Sequence, residues 1–431
     1  MTLLSSKLLP LTLAVAVALA FPGCTGDLPA DDVAPARARL ALGYRAAPSG
    51  DDAAIARAQD AVHRQPRPDA YLALATAFIQ RQRHARDPRF LVYAEDALAA
   101  ARELGGGDQP GVAVAAIYLL TEQHRFAEAR DAARRLAAAH PDDADGHLLL
   151  GDALLELGDY DGAADAYQRA IDRHPDLRTY ERGAHVRWLD GDVDGALELI
   201  QLALESASAR DPEPAAWCHV ALGTMMWQRG DLAAAAASAA RALALVPDYP
   251  AARLLDARVR FGKGDLAGAL QSLGAIPERL RTIEELSLES DLLDGLGRSA
   301  EAARIAAAIA VRGKNDPREA ARYWARRGVE SARAVELASA VARARPTVEA
   351  LAVEALALAR AGRPWEARAS LARAGRLGTR DPRLPLYAAL VEVSAGKPVE
   401  ARAALAGALP AARAVDPVLV AQLERRLEVL P

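Results

Sequence analysis

The residues able to carry chemistry by themselves are few and scattered. The chain holds eight histidines and two cysteines among 431 residues. A metal centre would need such ligands gathered at short, regular spacing. His140 and His174 instead each precede a proline, 34 residues apart, which marks two equivalent helix ends. Cys24 lies in the N-terminal segment and Cys218 in a predicted helix. They make no disulfide framework, and Cys218 reads as a small buried apolar residue. Asp142-Asp143 and Glu284-Glu285 fall near predicted helix starts, where negative charge complements the helix dipole. Gly105-Gly106-Gly107 lacks the strand–turn–helix setting of a phosphate cradle and reads as a linker. A GxxxxGK phosphate loop, an HExxH zinc helix and a GxSxG nucleophile turn are all absent. The chain is therefore expected not to be an enzyme, with no catalytic residue, no metal and no cofactor. Only a site assembled from residues far apart in sequence would escape this search.

The elements must then position something other than a reactive group. Hydrophobic residues are 52% of the chain but aromatics only 5%, so the apolar content is mostly Ala and Leu. That composition favours closely packed helices over strands. The formal net charge is -4 and the isoelectric point is near 6.1. Arg is interspersed with Asp and Glu, as on solvated helix faces, and no basic excess points to nucleic acid.

Residues 1–24 begin with Lys7 beside the free amine, continue as an uncharged run from Leu8 to Phe21, and end in Phe21-Pro22-Gly23-Cys24. The run is shorter than the ~20 residues a membrane-spanning helix needs, but suits the core of a signal peptide. The segment resembles a bacterial lipoprotein signal, in which a small residue precedes a cysteine that is lipidated and becomes the new N-terminus. Gly23 and Cys24 fit this pattern; Phe21 stands where Leu is usual, and Pro22 is uncommon at its position. The resemblance implies several acyl chains at Cys24, and one chain alone would anchor weakly. Ordinary cleavage near the same point, giving a soluble periplasmic or secreted protein, is the main alternative; an uncleaved anchor is another. Each places the remaining chain outside the cytoplasm. Asp27 to Asp32 reads as a tether within 25–50, with a first short helix near Val33 to Arg45.

A pattern then recurs. Its best copy runs from Ala144 to Leu177. Leu150-Gly151 is a large–small pair, Leu154 fills the next contact, Gly158-Asp159 forms a turn, and Ala163 sits where two helices touch most closely. Tyr167 and Ala170 continue the buried stripe, and Pro175 stops the second helix. This segment resembles a tetratricopeptide repeat, about 34 residues folded as two antiparallel helices. Leu222-Gly223, Met226, Gly230-Asp231, Ala235, Ala242 and Pro247 repeat the pattern. Gly191-Asp192 with Ala196 and Gly264-Asp265 with Ala269 mark the neighbouring copies. Weaker copies centre on Gly297, Gly328, Gly362 and Gly396, and Phe126-Ala127-Glu128-Ala129 with Pro141 closes one upstream. The expected fold is all-α, a right-handed superhelical solenoid of antiparallel helix pairs. Degenerate units are expected over 51–109, a core array over 110–282, degenerate units again over 283–410, and a capping helix within 411–431. In that cap Asp416 and Pro417 start the helix, and Leu419, Leu423 and Leu427 form its stripe. Two segments break the period, Arg83 to Pro88 and Ser206 to Pro214. Such insertions map to loops on one face, either binding loops or tolerated surface loops.

The resemblance implies that the first helix of each unit lines a concave channel. Its floor would include Tyr118, Glu122, Asp152, Glu156, Glu181, His185, Trp188, Thr224, Trp227, Gln228, Arg258 and Phe261. Trp188, Trp227 and Phe261 fall at equivalent places in three consecutive units. This aromatic strip could anchor a peptide, or the rings could pack as core. Tyr118, Asp152, His185, Trp188, Thr224, Trp227, Arg258 and Phe261 are the candidate partner-binding residues, with the primary site within 144–262. The Lys and Asn set with which one family variant grips peptide C-termini is absent; Asp152, Glu181 and His185 stand there instead. The expected function is a scaffold of the cell envelope that binds a protein or peptide partner, without nucleic acid and with membrane contact through its N-terminal lipid only. A soluble periplasmic chaperone is the alternative.

Overall fold

The computed structural model describes residues 38–430. Cys24, the export signal and the Asp27–Asp32 tether lie outside the described residues. Helices α1 (Arg39–Gly43) and α2 (Ala53–Arg64) lead into ten helix pairs. These are α3 (Pro68–Ala85) with α4 (Arg89–Glu103), α5 (Pro110–Glu122) with α6 (Phe126–Ala139), and α7 (Ala144–Glu156) with α8 (Tyr160–Arg173). Next come α9 (Leu177–Leu189) with α10 (Val193–Glu205), α11 (Pro212–Gln228) with α12 (Leu232–Leu245), and α13 (Pro250–Gly262) with α14 (Leu266–Gly274). The later pairs are α15 (Ile283–Gly295) with α16 (Ser299–Arg312), α17 (Pro317–Arg327) with α18 (Ser331–Ala344), α19 (Val348–Arg360) with α20 (Pro364–Ala374), and α21 (Arg383–Ser394) with α22 (Pro398–Ala408). The chain closes with α23 (Ala411–Val415) and α24 (Pro417–Glu428). The expected all-α solenoid of helix pairs is what the chain forms, and no strand occurs among the described residues.

The turn inside each pair explains why the pattern breaks where it does. Each contains a residue with left-handed backbone: Arg86, His124, and then Gly158, Gly191, Gly230, Gly264, Gly297, Gly328, Gly362 and Gly396, with Glu330 a second one in the α17–α18 turn. Glycine takes that conformation without a Cβ penalty. In four central units an aspartate follows it and caps the second helix: Asp159, Asp192, Asp231 and Asp265 each accept from a backbone N–H three residues on. The two helices of a pair meet closely through small residues. Ala163, Ala196, Ala235 and Ala269 are fully buried, and a Cβ on Gly151 would lie 2.4 Å from the Tyr167 ring. Asp416 accepts from the Leu419 N–H, Pro417 opens α24, and Leu419, Leu423 and Leu427 are buried.

The solenoid also touches itself. The Tyr160 hydroxyl accepts from the Val348 N–H (2.7 Å), Arg345 pairs with Glu156, and Arg86 reaches Glu285 and the Leu280 carbonyl. The Trp227 indole donates to the Ala414 carbonyl at 2.9 Å. These partners are 187 to 199 residues apart, about five to six repeat lengths of ~34 residues. The turns within early pairs therefore meet the links between later pairs, one superhelical turn on. The packing is tight: a Cβ on Gly191 would lie 2.4 Å from the Gly378 carbonyl oxygen. The Arg83–Pro88 insertion takes part, since Arg86 is the residue that clasps the start of α15.

Candidate functional site

The inner face is built by the first helices of the units, and it divides into an open stretch and a sealed one. In the open stretch, two adjoining cavities of about 430 and 630 Å³ share Asp152, Arg182 and Trp217 as walls. Together they run from Arg83 and Tyr118, past Asp152 on α7 and His185 and Trp188 on α9, to Thr224 and Gln228 on α11. The next superhelical turn supplies a further wall, with Val348, Glu349, Thr379, Asp381 and Arg383. Five of the eight candidate residues, Tyr118, Asp152, His185, Trp188 and Thr224, therefore line the open channel. Trp188 is nearly all covered, at 4% exposure, and its indole donates to Gln228 Oε1 at 2.7 Å.

The sealed stretch holds the other three. Trp227, Arg258 and Phe261 line a space of only about 60 Å³. The C-terminal segment closes it: Val415 and Asp416 line it, and the Ala414 carbonyl takes the Trp227 indole proton. The Arg258 guanidinium lies 4.8 Å over the Trp227 ring and pairs with Glu284, which also receives Arg322. Arg326 forms a two-pronged bond to Asp416 (2.6 Å each) and a third bond to Asp291 (2.8 Å). The aromatic strip is thus divided: the chain covers Trp227 and Phe261 itself, while Trp188 borders open space.

The electrostatics follow the same division. Burial opposes ionisation of Glu284, but Arg258 and Arg322 outweigh it and hold the carboxyl down at about 2. Burial likewise opposes ionisation of Asp416, and the charge and hydrogen bonds of Arg326 hold it below its ordinary value. In the channel, Asp152 is satisfied by Arg182 (2.7 and 3.1 Å) and by the Tyr167 hydroxyl (2.8 Å). Glu181 is not satisfied. It is 6% exposed, and its carboxyl has no hydrogen bond or ion pair among the described residues. Burial pushes it up to about 7, Arg182 opposing and Asp152 adding to the rise. The His185 ring is open to the channel yet enclosed by protein, and this desolvation lowers its pKa against the pull of Glu349. The Thr379 hydroxyl is buried without a partner. Cys218 is fully buried, which pushes its thiol up to about 12, so it is a packed apolar residue and no nucleophile. Among the described residues no cluster of three His, Cys, Asp or Glu side chains could hold a metal.

Sequence reading missed Arg182, Trp217, Thr379 and Asp381 in this site. Trp217 lies in α11, the first helix of its unit, so the inward periodicity, carried back toward the helix start, would have found it. Nothing local marks Thr379 or Asp381, which arrive from the next superhelical turn.

Residues 114–177 and 220–278 match the tetratricopeptide repeat family model. These two stretches carry tetratricopeptide repeats. No curated protein matches it. Among solved structures it is similar to PilW, described as a widely conserved type IV pilus biogenesis factor, at 17% identity over 49% of this chain and 95% of that one, with a TM-score of 0.39. It is similar to yeast Tom70 at 16% identity over 88% and 92% of the two chains, with a TM-score of 0.40. The Pseudomonas aeruginosa pilF structure is similar at 16% identity over 48% and 92%, with a TM-score of 0.39. No helix among the described residues is long and apolar enough to cross a membrane.

Proposed function

We propose that the protein is a non-enzymatic scaffold of the bacterial cell envelope, held to the membrane by lipid at Cys24, that grips an extended segment of a partner protein in the channel of its tetratricopeptide repeats. The observation that carries the binding reading is the channel itself. Two cavities of about 430 and 630 Å³ join through shared walls, while the neighbouring stretch of the same inner face is filled by the chain. Concave sites with an apolar lining and a few unpaired polar groups are where ligands bind. The Gly23-Cys24 motif carries the envelope reading.

Thr224 lines the channel and is partly exposed there, so Thr224→Trp should obstruct it without opening a cavity. After crosslinking in the native envelope, one recurrent partner should co-purify with the wild type and be lost with Thr224→Trp. Equal recovery from both would overturn the channel reading. Cys24→Ala should shift the protein from the membrane fraction to the soluble one; unchanged fractionation would overturn the lipid anchor.

A further inference from the structure

The channel contains one carboxyl group that lacks a directly paired cation among the described residues. Four carboxyl groups line the cavity of about 430 Å³: Asp152, Glu181, Glu349 and Asp381. Three have their own guanidinium, Asp152 with Arg182, Glu349 with Arg318, and Asp381 with Arg383. Glu181 alone has none, although it is 6% exposed. A buried carboxylate without a partner is costly and is retained where something supplies the missing charge.

We propose that this cavity receives the side chain of a lysine or arginine carried by the bound segment, with Glu181 as counter-ion and the Trp188 and Trp217 rings as apolar walls. The inference rests on the channel reading above and specifies its ligand. An ammonium group has three donors and no acceptor. The cavity offers two unused acceptors, the Glu181 carboxyl and the imidazole of His185. The stem of a basic side chain is apolar and packs on aromatic faces, while its charge is drawn to their π-systems. Trp217 already receives such a cation from within the chain, the Arg182 guanidinium at 5.5 Å. An acidic side chain would meet Glu181 directly, and a neutral apolar one would leave its carboxyl without a hydrogen-bond partner. The cavity volume exceeds one side chain and leaves room for the adjoining backbone.

The test uses the full chain and four blocked pentapeptides, Ala-Ala-X-Ala-Ala, with X as Lys, Arg, norleucine or Glu, titrated by tryptophan fluorescence and calorimetry. The Lys and Arg peptides should bind at least tenfold tighter than the other two. Glu181→Gln should remove that preference while the circular dichroism melt shows a folded protein. Ala221→Phe, which fills the cavity from α11, should weaken all binding. If norleucine or Glu binds as well as Lys and Ala221→Phe still weakens it, the cation inference falls and the channel reading stands. If none of the four binds, the inference also falls, and the crosslinking with Thr224→Trp decides the channel reading separately.

Discussion

The two stretches of the inner face are built from the same repeat and end in opposite states. Around Asp152, Glu181 and Thr224 the inner side chains look into open space. Around Trp227, Arg258 and Phe261 they are pressed against α23 and a network of arginines and acids. What differs is the neighbour one superhelical turn away. Opposite α9 stand the start of α19 and the segment leading into α21, which wall the cavity without filling it. Opposite α11 and α13, the chain leaves its period after α22 and lays the backbone of 411–416 into the lumen. Openness is therefore a property of stacking between turns, not of the unit.

The comparison breaks first at the arginines. Arg326→Met should leave Asp416, 5% exposed at the side chain, as a buried charge without its cation, and Asp291, 4% exposed, with only the more distant Arg327 at 3.7 Å, at a cost of about 3–5 kcal/mol. Arg182→Met should cost less, about 1–3 kcal/mol, because Asp152 keeps the Tyr167 hydroxyl and is itself 20% exposed. Urea unfolding measures both; equal losses would dissolve the distinction between sealed and open stretches.

Next in size is the response to pH, which should have opposite signs in the two stretches. The Glu181 carboxyl is raised from 4.5 to about 7, so the folded state binds the extra proton. Its stabilising contribution is complete below about 4.5 and is lost as pH rises through about 7. Glu181→Gln should therefore be more stable than the wild type at pH 8, by roughly 3 kcal/mol, and the gain should vanish near pH 4. Asp416 is depressed: its contribution is present above its unfolded value and disappears as pH falls through the folded one. Asp416→Asn should accordingly lose stability at neutral pH and approach the wild type in acid. Melting curves across pH check both signs.

The smallest effect separates edge contact from turn geometry alone. Gly191 and Gly396 both have left-handed backbone, with φ of 76° and 70°. Alanine at Gly396 meets nothing within 4 Å and should cost only the backbone penalty, about 1–2 kcal/mol. At Gly191 the added Cβ would also strike the Gly378 carbonyl oxygen. Its loss should be larger, and hydrogen exchange should rise at both the α9–α10 turn and the segment before α21.

The repeats were legible because their signals are local. A glycine that must turn left, an aspartate that caps the next helix and an alanine at the helix contact act within about twelve residues. Where the turn residue is Arg86 or His124, no glycine advertises the conformation, and the first units were correspondingly harder to place. The inward faces could be read by period, and that brought Tyr118, Asp152, His185, Trp188 and Thr224 to one channel. The same period also pointed to Trp227, Arg258 and Phe261, which the folded chain covers.

The sequence by itself determined the helix pairs, their caps, the small residues at their contacts and the face each first helix turns inward. Only the tertiary structure decided which part of that face stays open, that Arg86 is a clasp rather than part of a free loop, and that Glu181 is left without a partner. The physical reason is accumulation. Each unit rotates slightly against the last, and partners 187 to 199 residues apart meet only after five or six such rotations have been summed.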